Sequence, residues 1–129
     1  MADYKCLIVE DSPTMRALLV AALEGLSCPV KVSEVASAFE ALRRLPQERF
    51  DLIVTDVNMP DINGLELASF LRRNPVTARV PLVIVSTEGS ERDRDKVLAL
   101  GAGAYVVKPF DPADLQRIVE ALLEGRRED

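Results

Sequence analysis

Short apolar runs alternate along this chain with longer stretches in which apolar residues recur every three or four positions. Lys5 to Val9, Leu52 to Val54, Val80 to Val85 and Ala104 to Val107 are continuous apolar runs rich in β-branched residues. Such runs read as strands buried on both faces. Val30, Val32 and Val35 instead alternate with Lys31, Ser33 and Glu34, the pattern of a half-exposed edge strand.

A helical pattern follows each run. Ser12 is a good N-cap and Pro13 suits the first helical position of a helix reaching about Leu23. Its residues Met15, Leu18, Leu19, Ala22 and Leu23 form the face expected to pack on the sheet, and Gly25 is the expected C-cap. Ser37 and Glu40 make a capping box for a helix carrying Phe39, Ala41, Leu42 and Leu45, closed by Pro46. Leu65 to Arg73 is the third helix, ended by Asn74-Pro75. Ser90 to Leu100 is the fourth, with Val97, Leu98 and Leu100 on its apolar side and Gly101 and Gly103 breaking it. Asp111 caps the fifth, Pro112 starts it, and Leu115, Ile118, Val119 and Leu122 face inward. The charged tail 125–129 is expected to fray.

Strand then helix, five times over with short connections, predicts an α/β fold: a parallel sheet covered on both faces. A length of 129 residues suits one domain with a single sizeable core. No apolar run approaches the ~20 residues needed to span a bilayer, so a cytoplasmic protein without a membrane partner is expected. The net charge of −5, with Lys and Arg scattered among acids, argues against nucleic acid as a ligand.

There is no histidine, which removes imidazole acid–base chemistry, His-based triads and histidine metal ligands. Cys6 and Cys28 have no zinc or redox spacing and read as free thiols. Carboxylates, hydroxyls and a lysine are left to carry any chemistry.

Four strands run out into polar groups: Glu10-Asp11, Asp56, Ser86-Thr87 and Lys108. In open α/β sheets ligands bind outside these carboxyl ends. If the first, third, fourth and fifth strands are neighbours, the groups meet at one rim. Two carboxylates ~4 Å apart repel by roughly 4 kcal/mol at an effective dielectric of 20, so a cluster of three calls for a cation. Oxygen-only ligands in an incomplete cage suit Mg²⁺. With the Lys108 ammonium, such a cation would neutralise a phosphoryl group passing to Asp56, with the Ser86 hydroxyl donating to one of its oxygens.

Taken together, Val9-Glu-Asp-Ser-Pro-Thr-Met-Arg16, Asp56-Val-Asn-Met-Pro-Asp-Ile-Asn-Gly64, Val85-Ser86 and Tyr105-Val-Val-Lys-Pro-Phe110 closely resemble the receiver domain of bacterial response regulators. Within that family the chain is most similar to the single-domain chemotaxis regulators. The resemblance implies a flavodoxin-like, doubly wound sheet in the order 2-1-3-4-5. It makes Asp56 the phospho-acceptor, receiving its group from a phosphohistidine on a sensor histidine kinase. It assigns Mg²⁺ to Glu10, Asp11, Asp56 and the backbone carbonyl of Asn58. Lys108, Ser86 and Thr87 would contact the phosphoryl group, and a cis peptide would join Lys108 to Pro109.

Ser86 and Tyr105 would be the switch pair, biasing a pre-existing equilibrium. The output surface would be the fourth helix, fifth strand and fifth helix, around Glu91 to Lys96, Tyr105 and Leu115 to Arg117. The resemblance further implies a monomer that binds a downstream target, such as a flagellar switch or other motility protein. Asn58 and Glu88 flank the site as in regulators cleared by a dedicated phosphatase.

Two departures from the family pattern stand out. Glu10 occupies a position where many relatives carry Asp, and Thr87 one where Ala or Gly is common. The Thr87 side chain is expected to narrow access to the phosphoryl site and slow its chemistry.

Three other functions stand beside this one. A phosphate shuttle or sink in a phosphorelay would have much the same site. An aspartate-based phosphohydrolase would want a second acid at position 58, which is Asn. A flavodoxin-like electron carrier would need a phosphate cradle where Glu10-Asp11 would repel one.

Overall fold

The computed structural model describes residues 3–57, 62, 64–87 and 91–128. Five strands, β1 (Tyr4–Val9), β2 (Val30–Val35), β3 (Leu52–Asp56), β4 (Leu82–Ser86) and β5 (Ala104–Val107), alternate with five helices. These are α1 (Pro13–Glu24), α2 (Ala38–Arg44), α3 (Gly64–Arg73), α4 (Glu91–Ala99) and α5 (Pro112–Glu128). All strand pairs are parallel, in the order β2-β1-β3-β4-β5. The four strands that end in polar groups are therefore contiguous.

The period-two alternation of each strand divides the interior in two. Cys6, Ile8, Leu52, Val54, Val83 and Val85 pack beneath α1 and α5 through Leu19, Leu23, Leu115, Val119 and Leu123. Leu7, Val9, Ile53, Leu82 and Ile84 pack beneath α2, α3 and α4 through Ala38, Ala41, Leu67, Leu71 and Val97. Every residue of β3 and β4 is buried, which accounts for their unbroken apolar runs.

Both cysteines are free, and burial pushes the Cys6 thiol up to about 12. No helix among the described residues is long and apolar enough to cross a membrane.

The helix ends follow the expected chemistry. The Ser12 hydroxyl accepts from the Met15 amide and the Ser37 hydroxyl from the Glu40 amide, while Glu40 reaches back to accept from the Ala36 amide. The Asp111 carboxylate accepts from the Ala113 amide. Gly25 caps α1 through bonds to the Ala21 and Ala22 carbonyls, at a φ of −88° that any residue can adopt. Gly101 differs: its φ of +84° ends α4 in the left-handed region.

Three expected core positions face solvent: Leu18, Phe39 and Leu98 are 52%, 56% and 39% exposed. Each follows or precedes a buried residue in sequence (Leu19, Ala38, Val97) and so lies about 100° round the helix from it. A helix lying on a sheet buries a stripe too narrow to hold both. β4 starts at Leu82 rather than Val80, because Pro81 has no N–H to pair and the Val80 amide closes a turn onto the Thr77 carbonyl. At the other end of the chain, α5 extends through Gly125 to Glu128.

Candidate functional site

The carboxyl ends of β1, β3, β4 and β5 bring together groups far apart in sequence. Lys108, just past β5, extends its ammonium between two carboxylates, with Nζ donating to Glu10 Oε1 and to Asp56 Oδ2, each at 3.0 Å. Glu10 is 1% exposed and Asp56 6%, so both acids are buried, while the neighbouring Asp11 is exposed. Carboxylate oxygens of Glu10, Asp11 and Asp56 all lie within 4.8 Å of one another.

The local backbone explains why these groups stay put. The Lys108 amide donates to the Ser86 carbonyl at 2.7 Å, tying the β5 exit to the end of β4, and the Lys108–Pro109 peptide is cis. The Val57 amide donates to the Val85 carbonyl, and the Gly64 amide to the Val57 carbonyl, so α3 starts directly against the Asp56 strand end. A Cβ at Gly64 would stand 2.6 Å from the Asp56 carbonyl oxygen. Only glycine allows that approach.

Burial and charge act against each other in this site. Burial pushes the Glu10 carboxyl above its ordinary range, and the Asp56 charge adds to this. The Ser12 amide, donating to Oε2 at 3.1 Å, and Lys108 oppose it without cancelling it. Burial alone would pull Lys108 down. Its hydrogen bonds to Glu10 and Asp56, and their charges, outweigh burial and hold the ammonium above the usual lysine value.

The donor set suits Mg²⁺. All three groups are hard oxygen ligands, and an octahedral ion with bonds of about 2.0–2.1 Å places its ligand oxygens roughly 3–4 Å apart. The three carboxylates, with oxygens within 4.8 Å of one another, are close to that spacing, and Asp11 opens the cluster to solvent.

The other predicted residues divide clearly. Ser86 is buried at the end of β4, one residue beyond the register partner of Asp56, and Thr87 is exposed beside it. Tyr105, paired with Ile84, is half-buried against the core cluster under α2, α3 and α4. Asn58 and Glu88 lie outside the described residues.

One part of the expected output surface needs correction. Leu115 is fully buried in the core, because α5 turns that face toward the sheet, and Gln116 donates to the Ala22 carbonyl on α1. Of that trio Arg117 alone is exposed. On the α4 and β5 side, Arg94, Asp95 and Lys96 are exposed, and Leu98 and Val107 offer apolar surface.

Sequence reasoning quoted Arg16 within the first motif but gave it no role. Its Nη1 donates to the Glu10 carbonyl at 2.9 Å and its Nε to Glu34 Oε1 at 3.0 Å. Its place four residues into a helix behind an acidic pair was the only signal available.

The fold is shared with known proteins. Residues 6–120 match the response regulator receiver domain family. The chain is 36% identical over 119 residues to the phosphate regulon transcriptional regulatory protein PhoB of Rhizobium meliloti, covering 92% of this chain and 52% of that protein. It thus spans about half the length of that relative. It is 33% identical over 120 residues to the chemotaxis protein CheY1 of Helicobacter pylori, covering 92% of this chain and 96% of that protein. The structure of the chemotaxis response regulator CheY4 of Vibrio cholerae superposes with a TM-score of 0.85 at 30% identity, covering 94% of this chain and 99% of that one. The chain belongs to the receiver domains of two-component response regulators and is CheY-like.

Proposed function

We propose that this protein is a phosphorylation-controlled switch that accepts a phosphoryl group on Asp56 from the phosphohistidine of a sensor kinase. The observation that carries the reading is the Lys108 ammonium bridging Glu10 and Asp56 at one rim, with Asp11 alongside. Receiver domains generally bind Mg²⁺ at an acidic pocket of this kind, are phosphorylated by histidine kinases and act on downstream targets. Here Glu10, Asp11 and Asp56 would hold the ion, joined by the Asn58 carbonyl. Bound there, Mg²⁺ supplies positive charge that offsets the charge of the transferring phosphoryl group.

The chain's own groups do the rest. An Asp56 carboxylate oxygen forms the new O–P bond as the P–N bond to the kinase imidazole breaks, and the imidazole leaves with the electron pair and is protonated. Lys108 exchanges a carboxylate partner for a phosphoryl oxygen, keeping its charge in the site. The Ser86 hydroxyl donates to another phosphoryl oxygen, and Tyr105 moves inward behind it. Water later attacks phosphorus, releasing phosphate and restoring the carboxylate. The protein acts on itself rather than on a separate substrate.

Output passes through α4, β5 and α5, where Leu98 and Val107 give a partner protein apolar contact beside the exposed Arg94, Asp95 and Lys96. A chemotaxis-like motility target, and a phosphatase reaching Asn58 and Glu88, complete the proposed circuit.

Intact mass after incubation with acetyl phosphate tests the chemistry. The expected result is one phosphoryl adduct that requires Mg²⁺ and is lost in Asp56→Asn. No adduct, together with no binding of beryllofluoride, would overturn the reading.

A further inference from the structure

Glu10 is held at four points. Its amide donates to the Val35 carbonyl at 3.1 Å, Oε1 accepts from Lys108, Oε2 accepts from the Ser12 amide, and its carbonyl accepts from Arg16. The last of these is different in kind. The Glu10 carbonyl belongs to the planar peptide unit that joins Glu10 to Asp11, so fixing that oxygen fixes the plane from which both acidic side chains depart.

Arg16 is suited to this. Its own amide donates to the Ser12 carbonyl at 2.8 Å, anchoring it in the first turns of α1. Its guanidinium reaches the Glu10 carbonyl with one arm and Glu34 on β2 with the other. Glu34 sits opposite Ile8 in the β1–β2 register, so the tether spans the end of β1, the start of α1 and the edge strand. The planar fork serves two acceptors at fixed angles, which a lysine ammonium does not reproduce. The Glu34 side chain is 51% exposed, and an ion pair so open to water adds little to stability. The bond to the carbonyl is the more consequential half.

We infer that Arg16 is a positioning residue for the cation site, orienting the Glu10–Asp11 peptide so that both carboxylates converge with Asp56. The inference rests on the cation-site reading above. It takes a definite sign, because Arg16 is itself a cation hydrogen-bonded to the peptide that joins two of the acids. A purely electrostatic Arg16 would repel a divalent ion, and its removal would tighten binding. A positioning Arg16 does the reverse.

The test is Mn²⁺ binding, followed by the loss of the free-ion electron paramagnetic resonance signal, with thermal unfolding in chelator on the same samples. Wild type, Asp11→Asn, Arg16→Gln, Arg16→Lys and Glu34→Gln are compared. The expected result is affinity about 10-fold weaker in Arg16→Gln, the size typical of groups that orient metal ligands. Arg16→Lys should be similarly weak despite its retained charge, Glu34→Gln should fall between, and melting temperatures should hardly move. Unchanged or tighter binding in Arg16→Gln, with wild-type binding that Asp11→Asn abolishes, would overturn the positioning role and leave the cation site standing. Weakening that only tracks lost stability would overturn it too. Wild type that binds no Mn²⁺ would overturn the cation site and this inference together.

Discussion

Two cations sit at opposite ends of the sheet, each among oxygen atoms, and they have opposite characters. At the carboxyl end Lys108 lies between two carboxylates. At the amino end Arg72, in the last turn of α3, donates through Nη1 to the carbonyls of Ala78 at 2.7 Å and Val80 at 2.9 Å. Carbonyl oxygens carry no net charge, so burial simply lowers the Arg72 pKa, whereas the acids around Lys108 raise its own. The Arg72 contacts satisfy the backbone of the turn before β4, and no change of ligand or protonation can alter them. The Lys108 contacts join titratable groups, which under the proposed function a second cation or a phosphoryl group takes over. On that reading one end is a fastening, the other an exchangeable site.

The comparison is most exposed to Lys108→Met. In chelator this leaves two buried carboxylates facing each other, and a loss of about 3–5 kcal/mol is expected from urea unfolding. Mg²⁺ should restore a large part of it. A variant that Mg²⁺ does not rescue would mean the rim is a fastening as well. Arg72→Met should cost about 2–3 kcal/mol by stranding buried carbonyls, with Mg²⁺ affinity unchanged. A matching fall in affinity would show that the two ends are coupled.

Protonation separates the ends further. The folded Glu10 pKa is raised, so the folded protein binds this proton more tightly than the unfolded chain does. Its contribution to metal-free stability is therefore present at low pH and lost as pH rises through the raised value. Protonated Glu10 is also a poor cation ligand. The gain in melting temperature from Mg²⁺ should thus fade on acidification in a window above the ordinary 4.5, and in Glu10→Asp the window should shift. A gain that persists to the normal carboxylate range would remove Glu10 from the site. The smallest effect belongs to Thr87, exposed at the rim. Thr87→Ala should speed dephosphorylation of Asp56 a few-fold without changing stability, and an unchanged rate would sink the idea that its side chain restricts access.

The rim was readable because its residues sit where apolar runs stop. Asp56 and Ser86 end strands, Glu10 and Lys108 directly follow them, and strand ends are visible as a change from buried to polar residues. The bridging role of Lys108 needed only the neighbour order β1-β3-β4-β5, which a parallel sheet with a known rim makes simple. The fastening was not legible. Arg72 looks like any charged residue in the last turn of a helix, and its acceptors are backbone atoms, which leave no mark in a sequence. Arg16 was missed for the same reason. Leu18, Phe39 and Leu98 were misplaced because periodicity identifies an apolar sector, while the flatness of the sheet decides how much of it is covered. Leu115 was placed on the inward face by its helical spacing with Val119 and in the output surface by analogy, and the spacing was the better guide.

Amide hydrogen exchange, with and without Mg²⁺ and beryllofluoride, tests the contrast between the two ends most directly. The predicted result is added protection in peptides covering 8–11, 54–57 and 84–87, with none in 76–80 around the Arg72 turn. No change at the rim, or equal protection at both ends, would contradict an exchangeable cation and phosphoryl site at the carboxyl edge of this sheet.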